Sequence, residues 1–149
     1  MSKITWSKDL DTGISVIDRQ HRRIVDYINE LDDARTSGHK KEDVAKVIDD
    51  LVDYTLSHFA FEESLQEQAD YPFIEAHRKV HGMFVRRVAR YQERFELGDD
   101  IVDELQKTLV VWLVNHIKHD DADYVSAVKR NLDKVPAEKM GGWLSRFFK

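Results

Sequence analysis

Five of the seven histidines in this chain of 149 residues fall on helical apolar stripes, and two of the spacings among them suit ligation. His58 and Glu62 are four residues apart, as are His77 and His81. Members of each pair therefore differ by about 40° around a helix and can converge on one point. His21 and His116 add one nitrogen each from two further stripes. Five imidazoles and a carboxylate set among Leu, Val, Phe and Trp would be costly, at roughly 1–3 kcal/mol per unsatisfied polar group, unless something binds them. A metal removes that cost. His39, in a turn between Gly38 and Lys40, and His119, rotated off the stripe of His116, are expected at the surface.

A second carboxylate is less determined by spacing, because Asp120 is four residues after His116 and Asp121 is five. Ideal helical geometry prefers Asp120; a five-residue step rotates by about 140°, so Asp121 joins His116 only if the helix bulges locally. Five nitrogens and two carboxylates exceed one tetrahedral zinc and suit two octahedral ions sharing bridging carboxylates, for which two irons are the natural assignment. If Glu62 and the aspartate bridge with one solvent oxygen, an iron with three histidines is full and an iron with two has a position open. No Glu has a His three residues later, so the Glu-x-x-His pattern of ferritin-like sites is absent. An imidazole-rich site of this kind favours binding of a small diatomic over oxidation of a substrate.

Four stretches must position these groups. The first runs from Ile17 through His21, Ile24, Val25, Ile28 and Leu31 towards Ser37-Gly38, with apolar residues at three- and four-residue steps. A second opens at Glu42-Asp43 and carries Val44, Ile48, Leu51, Thr55, His58, Glu62 and Leu65 on one stripe. Asp70 is expected to cap a third, with Pro72 in its first turn and an end near Leu97-Gly98. Asp99 and Asp100 are expected to cap a fourth, which carries Leu105, Leu109, Trp112, Leu113, His116 and Ile117 on to Tyr124 and Val128 and fades near Asn131. Amphipathic helices of this length joined by short turns predict an all-α, up-down-up-down four-helix bundle. Residues 1–131 are read as that bundle domain, with residues 1–16 as an N-terminal arm, and residues 132–149 as a C-terminal tail.

Composition narrows the function classes. Apolar residues make up 42% and charged residues 34%, with six Gly and two Pro, which excludes disorder and collagen-like repeats. A net charge of −5 and a pI near 5.8 make nucleic acid a poor partner. The absence of cysteine excludes disulfides, thiolate zinc sites, iron–sulfur clusters and a Cys nucleophile. Apolar runs such as Val110 to Val114 are too short to span a bilayer, and Met1 to Gly13 lacks a signal-peptide core, so a cytoplasmic location is expected.

The motifs Asp18-Arg-Gln-His21, His58-Phe-Ala-Phe-Glu62-Glu63, Tyr71-Pro72 with His77-x3-His81, and Trp112-Leu-Val-Asn-His116-Ile-Lys-His-Asp-Asp121 followed by Tyr124 resemble those of the hemerythrins, specifically the bacterial single-domain members. The resemblance covers roughly residues 6 to 128. It implies a non-haem di-iron centre with a bridging oxo or hydroxo group that binds O2 reversibly, for storage, transport or sensing rather than enzymatic turnover. By position, His77, His81 and His116 would hold the coordinatively full iron, His21 and His58 the iron that takes O2, and Glu62 would bridge. The family's His-x4-Asp pattern selects Asp121 as the second bridge. Leu113 would line the O2 pocket, with Trp112 beside it; Asp18, Trp112 and Tyr124 also suit capping, core packing or a helix-end hydrogen bond. One departure is Gln66, where many bacterial members carry Met. If it faces the oxygen pocket, an amide there would donate a hydrogen bond or admit water and speed autoxidation; at the end of its helix it would equally suit solvent. The alternative use of the same irons is redox or nitrosative-stress chemistry on NO or peroxide.

Residues 134–149 of the tail carry Lys134, Lys139, Arg146 and Lys149 against the single acid Glu138. Its ending places Trp143, Leu144, Phe147 and Phe148 on an amphipathic turn after a Gly141-Gly142 hinge. These aromatics are expected either to cover the bundle or to dock a partner protein or the inner membrane face; an oxygen-using enzyme is a separate expected partner of an O2-storing chain.

Overall fold

The computed structural model describes residues 4–36, 41–121, 124–132 and 137–148. After a single 3-10 turn at Lys8–Leu10 come α1 (Ser15–Thr36), α2 (Lys41–Gln68), α3 (Ile74–Glu96), α4 (Val102–Asn115), a π-helical segment (His116–Asp121), α5 (Val125–Leu132) and α6 (Ala137–Leu144). Helices α1 to α4 form the expected four-helix bundle, and no strand occurs among the described residues.

The apolar stripes bury into two clusters stacked along the bundle axis. The larger takes Ile24 to Ala34 of α1, Val44 to Phe59 of α2, Phe84 to Tyr91 of α3 and Leu105 to Leu113 of α4. The smaller takes Ile14, Val16 and Ile17 at the start of α1, Phe61 and Leu65 near the end of α2, and Tyr71, Tyr124 and Val128. One end of the bundle thus gathers the start of α1 and the end of α2, which is the signature of alternating helix direction. The candidate ligands lie where the two clusters meet: His21 falls between Ile17 and Ile24, and His58 and Glu62 straddle Phe61.

Four sequence expectations change. Asp70 does not cap α3. It closes α2 instead, with a left-handed φ of 53°, an N–H bond to the Glu67 carbonyl at 3.1 Å and the Tyr71 N–H on the Gln66 carbonyl at 3.0 Å. This is the Schellman pattern, in which a left-handed residue lets the chain satisfy the last carbonyls of a helix. Pro72 accordingly lies in the turn before α3, whose N-cap is Phe73, without a side-chain capping bond. The same pattern ends α3, where Gly98 takes φ 96° and the Asp99 N–H reaches the Arg94 carbonyl at 3.0 Å. Asp99 therefore belongs to the end of α3, and α4 starts from Ile101, which also lacks a side-chain cap. The fourth helix is not continuous: α4 gives way to the π segment at His116. Gly141 and Gly142 lie inside α6 rather than forming a hinge before it.

The arm and tail both lie on the bundle. Asp18, in the first turn of α1, accepts from the Thr12 N–H and hydroxyl at 2.8 Å each and from the Gly13 N–H at 3.2 Å. The Asn29 amide clasps the Ile4 N–H and carbonyl at 3.0 and 2.9 Å. At the other end of the chain, Phe148 packs on Tyr54 and Phe61 with ring centroids at 5.2 and 6.1 Å, and Phe147 on Phe61 at 5.7 Å. Leu144 joins the same cluster. These tail residues cover the chain's own bundle; the Trp143 side chain and residues 133–136 lie outside the described residues. No described helix is long and apolar enough to cross a membrane.

Candidate metal centre

Six of the seven candidate ligands are brought together, each at most 5% exposed: His21 from α1, His58 and Glu62 from α2, His77 and His81 from α3, and His116 where α4 becomes π-helical. Glu62 is the hub. Its Oε2 faces His21 Nε2 at 4.0 Å and His58 Nε2 at 3.3 Å. Its Oε1 faces His77 Nε2 at 2.9 Å, His81 Nε2 at 3.0 Å and His116 Nε2 at 3.6 Å. The nitrogens are thus divided two and three between the oxygens of a single carboxylate. Two groups, one of His21, His58, Glu62 and His116 and one of Glu62, His77, His81 and His116, each place their ligand atoms within 4.8 Å of one another. That donor set, nitrogen-rich, dry and without sulfur, fits a pair of first-row cations sharing a carboxylate.

The seventh candidate is Asp121. Its backbone closes the π segment, while its side chain, like that of Asp120, lies outside the described residues. The segment itself bears on the choice between them. A π turn closes hydrogen bonds five residues apart, so it carries a residue five positions on back beneath the first, the local bulge that a His116–Asp121 pairing requires. His119 is exposed, as expected of a residue off the stripe, and His39 lies outside the described residues.

The surroundings hold these groups in place. Tyr124, fully buried, donates its hydroxyl to Glu62 Oε2 at 2.9 Å, a contact that the sequence offered only as a generic helix-end bond. Phe59 stacks on the His81 ring at 3.8 Å, and Trp112 lies between His116 at 4.6 Å and Phe84 at 3.7 Å. Trp112 also lines an open groove of about 530 Å³ between α3 and α4 that reaches His116. Sequence reasoning passed over two further residues, Gln20 and Glu63. Gln20 Oε1 accepts from His58 Nδ1 at 2.7 Å, and Glu63 Oε2 from His81 Nδ1 at 2.9 Å. The available signal was adjacency, since each stands next to a candidate ligand in a motif already singled out.

Two of the three pocket candidates lie on different sides of the histidines. Leu113, fully buried in the larger cluster, lies one turn before His116; Gln66, also fully buried, lies one turn beyond Glu62 and next to Leu65 of the smaller cluster. Because α2 and α4 run the same way, these residues flank the histidine layer from opposite ends of the bundle. Gln66 is not at a solvent-facing helix end, and neither end of its amide has a hydrogen-bond partner among the described residues.

Electrostatics favours ionised carboxylates here. Burial alone would raise Glu62, but the rings of His58, His116 and His77 hold it well below the ordinary carboxylate range. Burial also acts upward on Glu63, and the His81 bond and the Arg78 guanidinium outweigh it. A carboxylate lowered in the folded state contributes stability that is present above its unfolded value and lost as the pH falls through its folded value. The urea midpoint of metal-free protein should therefore fall as the pH is taken from about 6 to about 3, bracketing the ordinary carboxylate range. Glu63→Gln should flatten that slope; an unchanged slope would show that the Glu63 contacts are not retained in solution.

Residues 12–128 match the family model of the hemerythrin HHE cation binding domain. The whole chain aligns with a bacteriohemerythrin of Pseudomonas aeruginosa (strain LESB58) at 53% identity over 150 positions, covering 97% of that relative. A bacteriohemerythrin of Stenotrophomonas maltophilia (strain R551-3) is 51% identical with the same coverage. Among solved structures, wild-type hemerythrin superposes with a TM-score of 0.78 at 30% identity, over 85% of this chain and 98% of that one.

Proposed function

Because the chain belongs to the hemerythrin family, we propose that it binds O2 reversibly at two non-haem irons, to store, carry or sense O2 rather than to turn over a substrate. The observation that supports this reading is the division of five histidine nitrogens, two and three, between the oxygens of Glu62. His77, His81 and His116 would hold one iron and His21 and His58 the other, with Glu62 and Asp121 as the carboxylates shared between them. When bound, such an iron pair supplies the electrons that O2 takes up and returns.

The protein's own residues set the conditions for that exchange. Glu62 offers one oxygen to each half of the site, and the Tyr124 hydroxyl fixes its plane. Two histidines on one side against three on the other leave that side a ligand short, which is where a small diatomic fits. Leu113 and Phe59 cover the histidine layer on one side with buried apolar surface, and Trp112 stands between His116 and the groove beside α3 and α4. Gln66 is the polar interruption at the opposite end. Gln66→Met should raise stability by about 1 kcal/mol, since it removes two buried polar atoms without partners. It should also slow oxidative loss of the O2-binding form several-fold; an unchanged autoxidation rate would remove Gln66 from any role in the site.

The direct test is the near-UV and visible spectrum of iron-loaded protein, reduced under argon and cycled between air and argon. Charge-transfer bands that come with air and leave with argon are expected. Bands that appear once and persist, together with catalytic consumption of NO or peroxide, would replace the carrier reading with a redox one. No bands at all would overturn the di-iron assignment.

A further inference from the structure

We infer that Gln20 and Glu63 are positioning residues that make the two halves of the centre unequal, a neutral amide holding His58 and a carboxylate holding His81, so that the His77, His81 and His116 half is the tighter cation site. The inference rests on the reading of this cluster as a metal centre and adds to it an order of filling.

The geometry is the same on both sides. In His58, Nδ1 is engaged by Gln20 Oε1 at 2.7 Å while Nε2 faces Glu62 at 3.3 Å. In His81, Nδ1 is engaged by Glu63 Oε2 at 2.9 Å while Nε2 faces Glu62 at 3.0 Å. Both partner atoms are acceptors, so each ring donates its Nδ1 proton outward and keeps Nε2, turned to the centre, as the nitrogen that a cation would take. Without those acceptors each ring is free to place its proton on Nε2, the tautomer that cannot ligate there.

The chemistry of the acceptors differs. An ionised carboxylate draws the Nδ1 proton more strongly than an amide oxygen does and makes the opposite nitrogen a better donor to a cation. Glu63 is fixed for this from outside: its Oε1 takes a bond from Arg78 Nε at 3.2 Å, and Arg78 is itself held by Glu75 and Glu67. Gln20 has no such support. It is buried, and its Nε2 has no hydrogen-bond partner among the described residues, which leaves the bond to His58 as the polar contact that its side chain makes.

Co(II) added to the metal-free full-length protein reads each half separately through its d–d absorption, with circular dichroism monitoring the fold. The expected wild-type result is two ions in two phases. Glu63→Gln, which keeps size and shape, should weaken the tighter phase by about 10- to 100-fold and leave the weaker one in place. Gln20→Glu should tighten the weaker phase and bring the two together. Equal weakening of both phases by Glu63→Gln, or no change in either, would overturn the inference while leaving the metal centre intact. Failure of the wild-type chain to take up Co(II) would instead overturn the metal reading beneath it.

Discussion

Glu62→Ala should leave a folded bundle that has lost its paired metal, with bound iron falling from two ions per chain to one or none. Glu62 is the described carboxylate that faces both halves of the site: one oxygen faces two histidines and the other faces three. Its removal takes away the only described anionic charge at the centre of the cluster and the acceptor for the Tyr124 hydroxyl. A shared ligand contributes to both ions at once, so the loss should exceed the 10- to 100-fold typical of an outer hydrogen-bond partner. Glu62→Gln separates charge from shape, because it retains a carbonyl oxygen for Tyr124 and still removes the carboxylate. Metal analysis after dialysis against a weak chelator provides the measurement. Two ions per chain retained by Glu62→Ala would show that the halves do not share this residue.

Phe61→Ala should destabilise the protein by about 3–5 kcal/mol, the usual cost of truncating a fully buried phenylalanine. Phe61 precedes Glu62 by one residue and belongs to the smaller cluster, where it also carries Phe147 and Phe148 of the tail. Its loss opens a cavity at the end of the bundle and removes the surface on which the tail sits. Chemical unfolding of the metal-free protein should show the reduced midpoint, and trypsin should cleave at Arg146 faster than in the wild type. A cost below about 1 kcal/mol would mean that the tail and this cluster are not packed together in solution. Phe61 is not itself a candidate ligand, so metal stoichiometry should remain that of the wild type.

Much of the bundle is legible in the residues because periodicity is a local property. Apolar side chains at three- and four-residue steps can form one continuous surface only on a helix, and that surface must find another. The same step places His58 with Glu62 and His77 with His81, so the meeting of these side chains follows from spacing once the stripes face inward. The exposed His119 obeys the same rule from the other side.

Helix boundaries were less legible where aspartate stood. Its side chain suits a helix N-cap, and its backbone tolerates the left-handed conformation of a helix end; Asp70 takes the second role because the last carbonyls of α2 need its N–H and that of Tyr71. The π segment after His116 was posed by sequence as a condition for Asp121 and not as a result. An extra residue in a turn leaves no periodic trace over six residues, and only packing against the rest of the bundle selects it.

The sequence by itself determined a four-helix bundle and the histidines and carboxylate that meet inside it, since both depend on spacing along single helices. Tertiary structure decided how the nitrogens divide between the two oxygens of Glu62, which neighbours hold His58 and His81, and that Leu113 and Gln66 flank the histidines from opposite ends. It also decided that Leu144, Phe147 and Phe148 close over Phe61 and Tyr54. Each of these depends on axial register between helices, which is set by how side chains from different rods interlock, and no spacing along one chain segment encodes it.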